Sequence, residues 1–393
     1  MTAPLARRAF LAAGAGAVLA TASPAAHARP GRGPFGRWGS PAARLTPTTL
    51  YVHPAGRGDH TTVRGAVDAA TGAGWTLVLA PGVYRETVLV REELTGLTVI
   101  GASGDPRDTV IVYDNAAGTP RPDGSGTYGT SGSATTTVRA AGFTALAVTF
   151  ANDWLRADHP GISGTQAVAL KVMGDRSAFH RCRFLGHQDT LYADSLSASA
   201  VARQYFSHCY AQGDVDFVFG RARAVFEHCR FHTLARDVDF TPKGMVFAPS
   251  TVRANPYGYL AVRCRVTGAA EDGAYKLARP WVPSSDPTAW PSLVVRDTWI
   301  GPGIDAARPW TNMSDTYPWQ EQRFAEYRNT GPGARVLDPA ERPRLTAAQA
   351  RTATREVYLG DCARVRLLAA DRARLRLRRR VDHLPPAAAR RRR

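Results

Sequence analysis

The residues able to do chemistry gather in three short stretches, GHQDTLY at 186–192, GDVDFVFG at 213–220 and KLARPW at 276–281. They offer the carboxylates Asp189 and Asp216, the amide of Gln188 and the guanidinium of Arg279, with a further amide, Gln166, upstream. On a β scaffold built of coils of roughly 20 to 30 residues, Gln166, the pair Gln188 and Asp189, and Asp216 fall on successive rungs. Adjacent strands lie ~4.8 Å apart, so carboxylates separated by a full coil in sequence become near neighbours on one face. Two such carboxylates do not ionise together. One keeps its proton and serves as an acid, while the other stays charged and serves as nucleophile or base. Arg279 beside one of them lowers the pKa of that group and orients it. An isolated Asp in a β-rich chain is more often a turn residue, as an isolated Phe is core. The reading rests on the coincidence of two Gln, two Asp and an Arg with Tyr192, Phe217, Phe219 and Trp281, aromatic faces suited to sugars. Spacing alone leaves glycoside hydrolase, lyase and esterase open.

The elements that must hold these residues are short β-rich runs such as TLVLAP, LTVIG, DTVIVY, ALAVTF, VDFVFG and YLAVRCRV, punctuated by Gly, Asp, Asn and Pro turns. The one good helical stretch before the C-terminal region is TTVRGAVDAATGA at 61–73. This excludes a helix bundle, argues against βαβ units, and leaves sandwich, barrel, propeller and solenoid. AFHRCRFLGHQDTL and AVFEHCRFHTLARD share a core motif 47 residues apart, with the related YFSHCYAQGDVDF between them. That repeat favours a solenoid in which like positions stack on successive coils.

A chain of 393 residues, 44% apolar, can bury a single large β domain. Residues 1–28 read as an export signal: Arg7 and Arg8, an apolar Ala-rich run, then Ala26-His27-Ala28 as a cleavage site, with RRAFL resembling a twin-arginine signal. A secreted, extracellular protein is expected, off the membrane once the signal is removed. Residues 29–49 read as a flexible lead, 50–360 as the folded domain, and 361–393 as a basic tail. That tail holds twelve Arg against three Asp and residues 1–28 add +2, so only +6 of the total +17 belongs to the body. A mildly basic body suits an acidic polymer and does not call for nucleic acid, for which no motif is present. Among the five cysteines, Cys209 with Cys229 is the disulfide expected of an exported chain, with Cys229–Cys264 as the alternative.

Over residues 50 to 360 the chain resembles the pectinesterases, the pectin methylesterases. The likeness is carried in order by GVYRE at 82–86, TVIGASGD at 98–105, SATTTVRAAGFTALAVTFAN at 133–152, QAVAL at 166–170, GHQDTLY, GDVDFVFG, LARPW at 277–281 and FAEYRNTGPGA at 324–334. The resemblance implies an all-β fold, a single-stranded right-handed parallel β-helix, acting as a monomer on methyl-esterified pectin with no metal or other cofactor. It implies Asp216 as nucleophile on the methyl ester, giving an acyl-enzyme and methanol, and Asp189 as the acid, then base, of the two half-reactions. Gln166 and Gln188 would donate to the oxyanion, Arg279 would keep Asp216 charged, and Trp281, Tyr192 and Phe219 would line the sugar cleft.

The chain departs from the family pattern at His187, where Tyr is common, and at Ala278, where the motif has Gly. Three rivals remain: a pectate or pectin lyase of the same architecture, an esterase or thioesterase on a non-pectin acyl group, and a silent polysaccharide-binding β-helix. The lyase would use a Lys or Arg base and calcium carboxylates rather than two Gln, and the binding module would lack one of the Asp or the Arg.

Overall fold

A computed structural model describes residues 47–360. The expected signal at 1–28, most of the lead at 29–49 and the tail at 361–393 lie outside the described residues. The short apolar runs form strands of two to six residues, gathered into three sheets of ten, eight and seven strands. Each complete coil gives one strand to each sheet, and the coils at the two ends are incomplete. Ser177–His180, Arg183–Leu185 and Leu191–Ala193 make one coil, and Arg203–Ser207, Tyr210–Gly213 and Val218–Gly220 make the next. Strands pair in parallel with their counterparts one coil away, and the ten-stranded sheet grows in a single direction from the first strand to the last. The chain is a right-handed parallel β-helix, as its repeat and family resemblance lead one to expect.

The internal repeat is the coil itself. Phe179, Phe206 and Phe226 occupy the same register position on three successive coils, their rings stacked at 4.9 and 4.8 Å. Phe184 and Phe231 meet this column edge-on from the eight-stranded sheet. At the N-terminal end the helix Val63–Ala69 buries Val63, Ala66 and Val67 against the first coil. Thr62 caps it by accepting from the Gly65 amide, and it is shorter than the 61–73 stretch suggested. Near the C-terminal end Tyr358 and Leu359 cover Tyr205, Val225 and Leu260 on the outer face of the ten-stranded sheet. No helix among the described residues is long and apolar enough to cross a membrane.

The corner between the ten- and eight-stranded sheets is turned by one left-handed residue per coil: Ala147, Arg181, His208, His228, Arg263, Asp297 and Arg328, with φ between 49° and 54°. The next residue points inward, and here Cys182, Cys209, Cys229 and Cys264 stack as a buried column of free thiols. The expected disulfides, Cys209–Cys229 or Cys229–Cys264, are therefore not formed. The cysteine gaps of 27, 20 and 35 residues are coil lengths rather than cross-link spacings. In-register parallel strands hold equivalent side chains about 4.8 Å apart on parallel Cα–Cβ bonds, whereas a disulfide needs Cβ atoms about 3.8 Å apart and converging. Each of the later thiols instead donates to a carbonyl of the preceding coil, Cys209 to Phe179, Cys229 to Phe206 and Cys264 to Phe226.

Candidate active site

The length of the connection from the eight- to the seven-stranded sheet varies from coil to coil. It is long at 114–135 and 153–169, short at 186–190 and 214–217, and long again at 234–243. The two short connections are thus flanked on both sides by long ones. These short turns carry Asp189 and Asp216, each two residues ahead of the paired Leu191 and Val218. Both carboxylates sit on left-handed backbone, φ 63° and 48°, a conformation that Asp tolerates better than most side chains because its short polar group bonds locally. Both are buried, 7% and 5% exposed.

Arg279 follows the strand Tyr275–Ala278, two coils beyond Asp216. Its Nε donates to both carboxylate oxygens at 2.9 and 3.1 Å, and its Nη2 donates to Oδ2 at 2.6 Å. Ala278 is fully buried and the fork forms regardless, so the methyl at this position is accommodated. The two carboxylates are driven apart in acidity. Burial, and then the charge of Asp216, push Asp189 far above the ordinary carboxylate range. Burial also raises Asp216, but there the hydrogen bonds and charge of Arg279 oppose it. Asp189 therefore retains the proton and Asp216 ionises first.

A third carboxylate, missed in the sequence reading, is Asp214. Arg156 holds it with a fork at 2.6 and 2.9 Å, and His187 Nδ1 stands 3.5 Å from it. Burial works against its ionisation, yet Arg156 and His187 outweigh that and keep it well below the ordinary range. Its place two residues before Asp216 in GDVDF, within the same short connection, was the available signal. Arg156 sits in a 3-10 turn of the 153–169 connection, and no pattern in the sequence points to it. The same Arg156 donates through Nη2 to Gln188 Oε1 at 3.4 Å, and Thr165 Oγ1 donates to that oxygen at 2.7 Å. With its oxygen occupied by two donors, the Gln188 amide is fixed with Nε2 left to donate elsewhere. Gln166 lies one coil earlier, four residues ahead of Leu170, which pairs with Leu191. It is half-buried, and its side chain makes no hydrogen bond among the described residues.

Tyr192 and Phe219 stack at 4.1 Å, and Trp281 closes on them at 6.1 and 5.6 Å, forming an aromatic wall beside the carboxylates. Behind it Lys171 Nζ lies 4.5 Å from the Tyr192 ring and 3.4 Å from Asp194, which also pairs with Arg221 at 2.8 Å. Phe217 is not part of this wall: it is fully buried in the central core. The arrangement can place an attacking carboxylate, a proton donor and amide donors around one polarised carbonyl, with an aromatic surface alongside.

Residues 49–360 match the family model described as Pectinesterase. The chain is 33% identical over 313 residues to a pectinesterase of Ralstonia nicotianae, covering 71% of this chain and 78% of that one. It is 33% identical over 304 residues to a pectinesterase of Daucus carota, covering 75% and 85%. Among solved structures it superposes on pectin methylesterase PemA from Erwinia chrysanthemi with a TM-score of 0.71 at 30% identity, covering 81% of this chain and 98% of that one. A pectin methylesterase in complex with a hexasaccharide matches equally well, with a TM-score of 0.71 at 31% identity over 79% and 96%.

Proposed function

From the premise that this chain belongs to the pectinesterase family and is a carboxylic ester hydrolase, we propose that it de-esterifies methylated homogalacturonan with Asp216 as nucleophile and Asp189 as acid and base. The Asp216 carboxylate adds to the methyl-ester carbonyl of a galacturonate unit, and the oxyanion is met by N–H groups of Gln166 and Gln188. Collapse of the adduct breaks the C–OCH3 bond, Asp189 gives its proton to the departing methoxide, and methanol leaves an acyl-Asp216 anhydride. Water then adds to that carbonyl while the Asp189 carboxylate takes its proton. A free galacturonate carboxyl, ionised Asp216 and protonated Asp189 result. Arg279 keeps Asp216 anionic and aimed between turns, and Trp281, Tyr192 and Phe219 hold the sugar rings.

The single observation that carries this reading is the Arg279 fork on Asp216 one coil from an Asp189 whose surroundings keep it protonated. A lyase would have no use for a nucleophile so held, and a silent binding module would not be expected to preserve the whole set. The same reading has the chain exported and acting as a monomer.

The test is methanol release from highly methylated pectin without added calcium. Wild type is expected to release methanol with no rise in the ultraviolet absorbance of an unsaturated product. Asp216→Asn, folded by circular dichroism, is expected to fall to background. Activity retained in Asp216→Asn sinks the nucleophile assignment, and an ultraviolet-absorbing product with no methanol sinks the esterase reading.

A further inference from the structure

The far edge of the eight-stranded sheet, where it meets the ten-stranded sheet, carries a basic groove that the reaction does not use. It has a volume of about 580 Å³, and Arg107, Arg181, Arg183, His208, Tyr210 and Arg230 are among its lining residues. The turn at 105–107 forms one wall, and the column of left-handed corner residues forms the other. The active-site carboxylates lie past the opposite end of the same strands, as Arg183–Leu185 shows by separating Cys182 from the 186–190 turn.

The column is built by register. Arg183, Tyr210, Arg230 and Arg265 are paired on four successive coils, so cations and an aromatic ring repeat at rung spacing along the solenoid axis. Tyr210 lies under two guanidinium groups, 5.4 Å from Arg183 and 6.0 Å from Arg230. On the last of these coils Arg265 covers the Trp299 ring at 4.7 Å. Stacking of this kind fixes the plane of a guanidinium and leaves its N–H edge facing outward.

What the groove lacks is negative charge. The carboxylate among its lining residues, Asp105, is already engaged by Arg107 at 2.6 Å. Arg181 and Arg183 make no ion pair among the described residues, and Arg230 bonds only the Thr267 hydroxyl, at 2.8 Å. Arg183 is half-buried against the Tyr210 ring, so its charge is partly stripped of water with no hydrogen-bonded anion among the described residues to replace it. Planar forks at Arg183, Arg230 and Arg265, one or two rungs apart along one register column and with no anion paired to them among the described residues, suit a linear polymer that carries one carboxylate per unit, at intervals on the order of a rung.

We propose that this groove is a second polysaccharide site, which takes the de-esterified, polyanionic stretch of pectin through its galacturonate carboxylates. It rests on the pectin reading above, since the reaction assigned there makes those carboxylates on the same polymer. The neutral, fully methylated substrate has no charge to offer the groove, so the site distinguishes product stretches from substrate stretches.

The experiment measures anisotropy of a labelled, fully de-esterified galacturonate oligomer on the full chain, on Trp281→Ala and on the double variant Arg183→Gln/Arg230→Gln. The double variant is expected to bind roughly tenfold more weakly, the loss of two charge-assisted contacts, and with a flatter salt dependence. Trp281→Ala keeps most of the wild-type affinity. Methanol release from short, fully methylated oligomers stays at the wild-type rate in the double variant and certifies its fold. If that rate is lost, Arg181→Gln on the exposed corner repeats the comparison under the same criteria. Unchanged oligomer binding in the groove variants overturns the proposal, and so does equal displacement by duplex DNA at matched charge, which marks a generic polycation. If wild type releases no methanol, the pectin reading fails, while the groove stands or falls on oligomer binding alone.

Discussion

Replacing Arg279 by Gln should move the acid limb of the pH–rate profile. In the wild type three contacts of 2.6, 2.9 and 3.1 Å join the guanidinium to Asp216, and they are what opposes the upward push of burial on that carboxyl. A cation this close lowers an Asp pKa by about 1–3, worth about 1.4–4 kcal/mol of preference for the charged form. Arg279→Gln removes that preference and leaves the burial. The pKa governing the acid limb of kcat/KM should then rise by about 1–3, so that below the wild-type limb the rate falls roughly 10- to 1000-fold. Arg279→Lys separates charge from geometry. It retains the cation but not the fork, so its limb should shift less while its plateau drops through loss of aim. The assay is methanol release at sub-saturating pectin across the pH range, with Asp216→Asn as the blank. Because the two carboxylates are coupled, the limbs belong to the pair, and the comparison is made between variants rather than against either residue alone. An acid limb that stays in place in Arg279→Gln, with only the plateau lowered, would refute the claim that Arg279 sets the ionisation of Asp216.

Asp189 should weaken the fold at neutral pH. Its folded pKa is raised, so its contribution to stability is intact below the unfolded value of about 4 and is lost as pH climbs toward the folded value. Asp189→Asn is therefore expected to melt higher than wild type at pH 7 and alike near pH 3, and a melting-temperature series that shows no such convergence contradicts this. Thr165→Val removes the 2.7 Å donor to Gln188 Oε1 and should lower kcat by about fivefold, worth about 1 kcal/mol, with little change in KM; an unaltered kcat would show that Arg156 alone positions the amide. Melting should be insensitive to dithiothreitol, and Cys182, Cys209, Cys229 and Cys264 should react with a thiol reagent only on denaturation, whereas a melting point that drops under reduction would show a disulfide. Phe206→Ala, at the middle of the phenylalanine column, should destabilise by about 3–5 kcal/mol in denaturant titration.

The sequence shows the coil wherever a side chain repeats and misleads wherever the repeat resembles another pattern. The Phe-x-x-Cys motif was legible as a solenoid because Phe179, Phe206 and Phe226 must fill the same core position on each turn. The cysteines in that motif invited pairing because their compartment suggested it, yet their register forbids it. Asp189, Asp216 and Arg279 were legible because they lie in short connections of nearly fixed length, so their spacing in sequence maps onto rungs. Arg156 and Thr165 were not. They come from a 17-residue connection whose path no periodicity specifies, and only the folded loop brings them to Gln188.

The two corners of the eight-stranded sheet explain why the carboxylates are where they are. A parallel β-helix must change direction within a residue or two at a tight corner, and a left-handed residue does this at the expense of about 1–2 kcal/mol for a side chain other than Gly. At the corner with the ten-stranded sheet the positions are filled by Ala, Arg, His and Asp, which turn outward around the inward column of thiols. At the short turns of the other corner they are Asp189 and Asp216. Asp is among the residues that bear this conformation best, so the turn that folds the coil also lifts a carboxylate off the sheet with few torsions left to vary. Glycine there would relax the backbone and remove the chemistry, while Glu would keep a carboxylate on a longer, looser arm in a harsher conformation. Asp216→Glu should therefore lose most of its kcat even though the charge is retained, and a Glu variant with near wild-type turnover would show that the left-handed turn does not set the aim of the nucleophile.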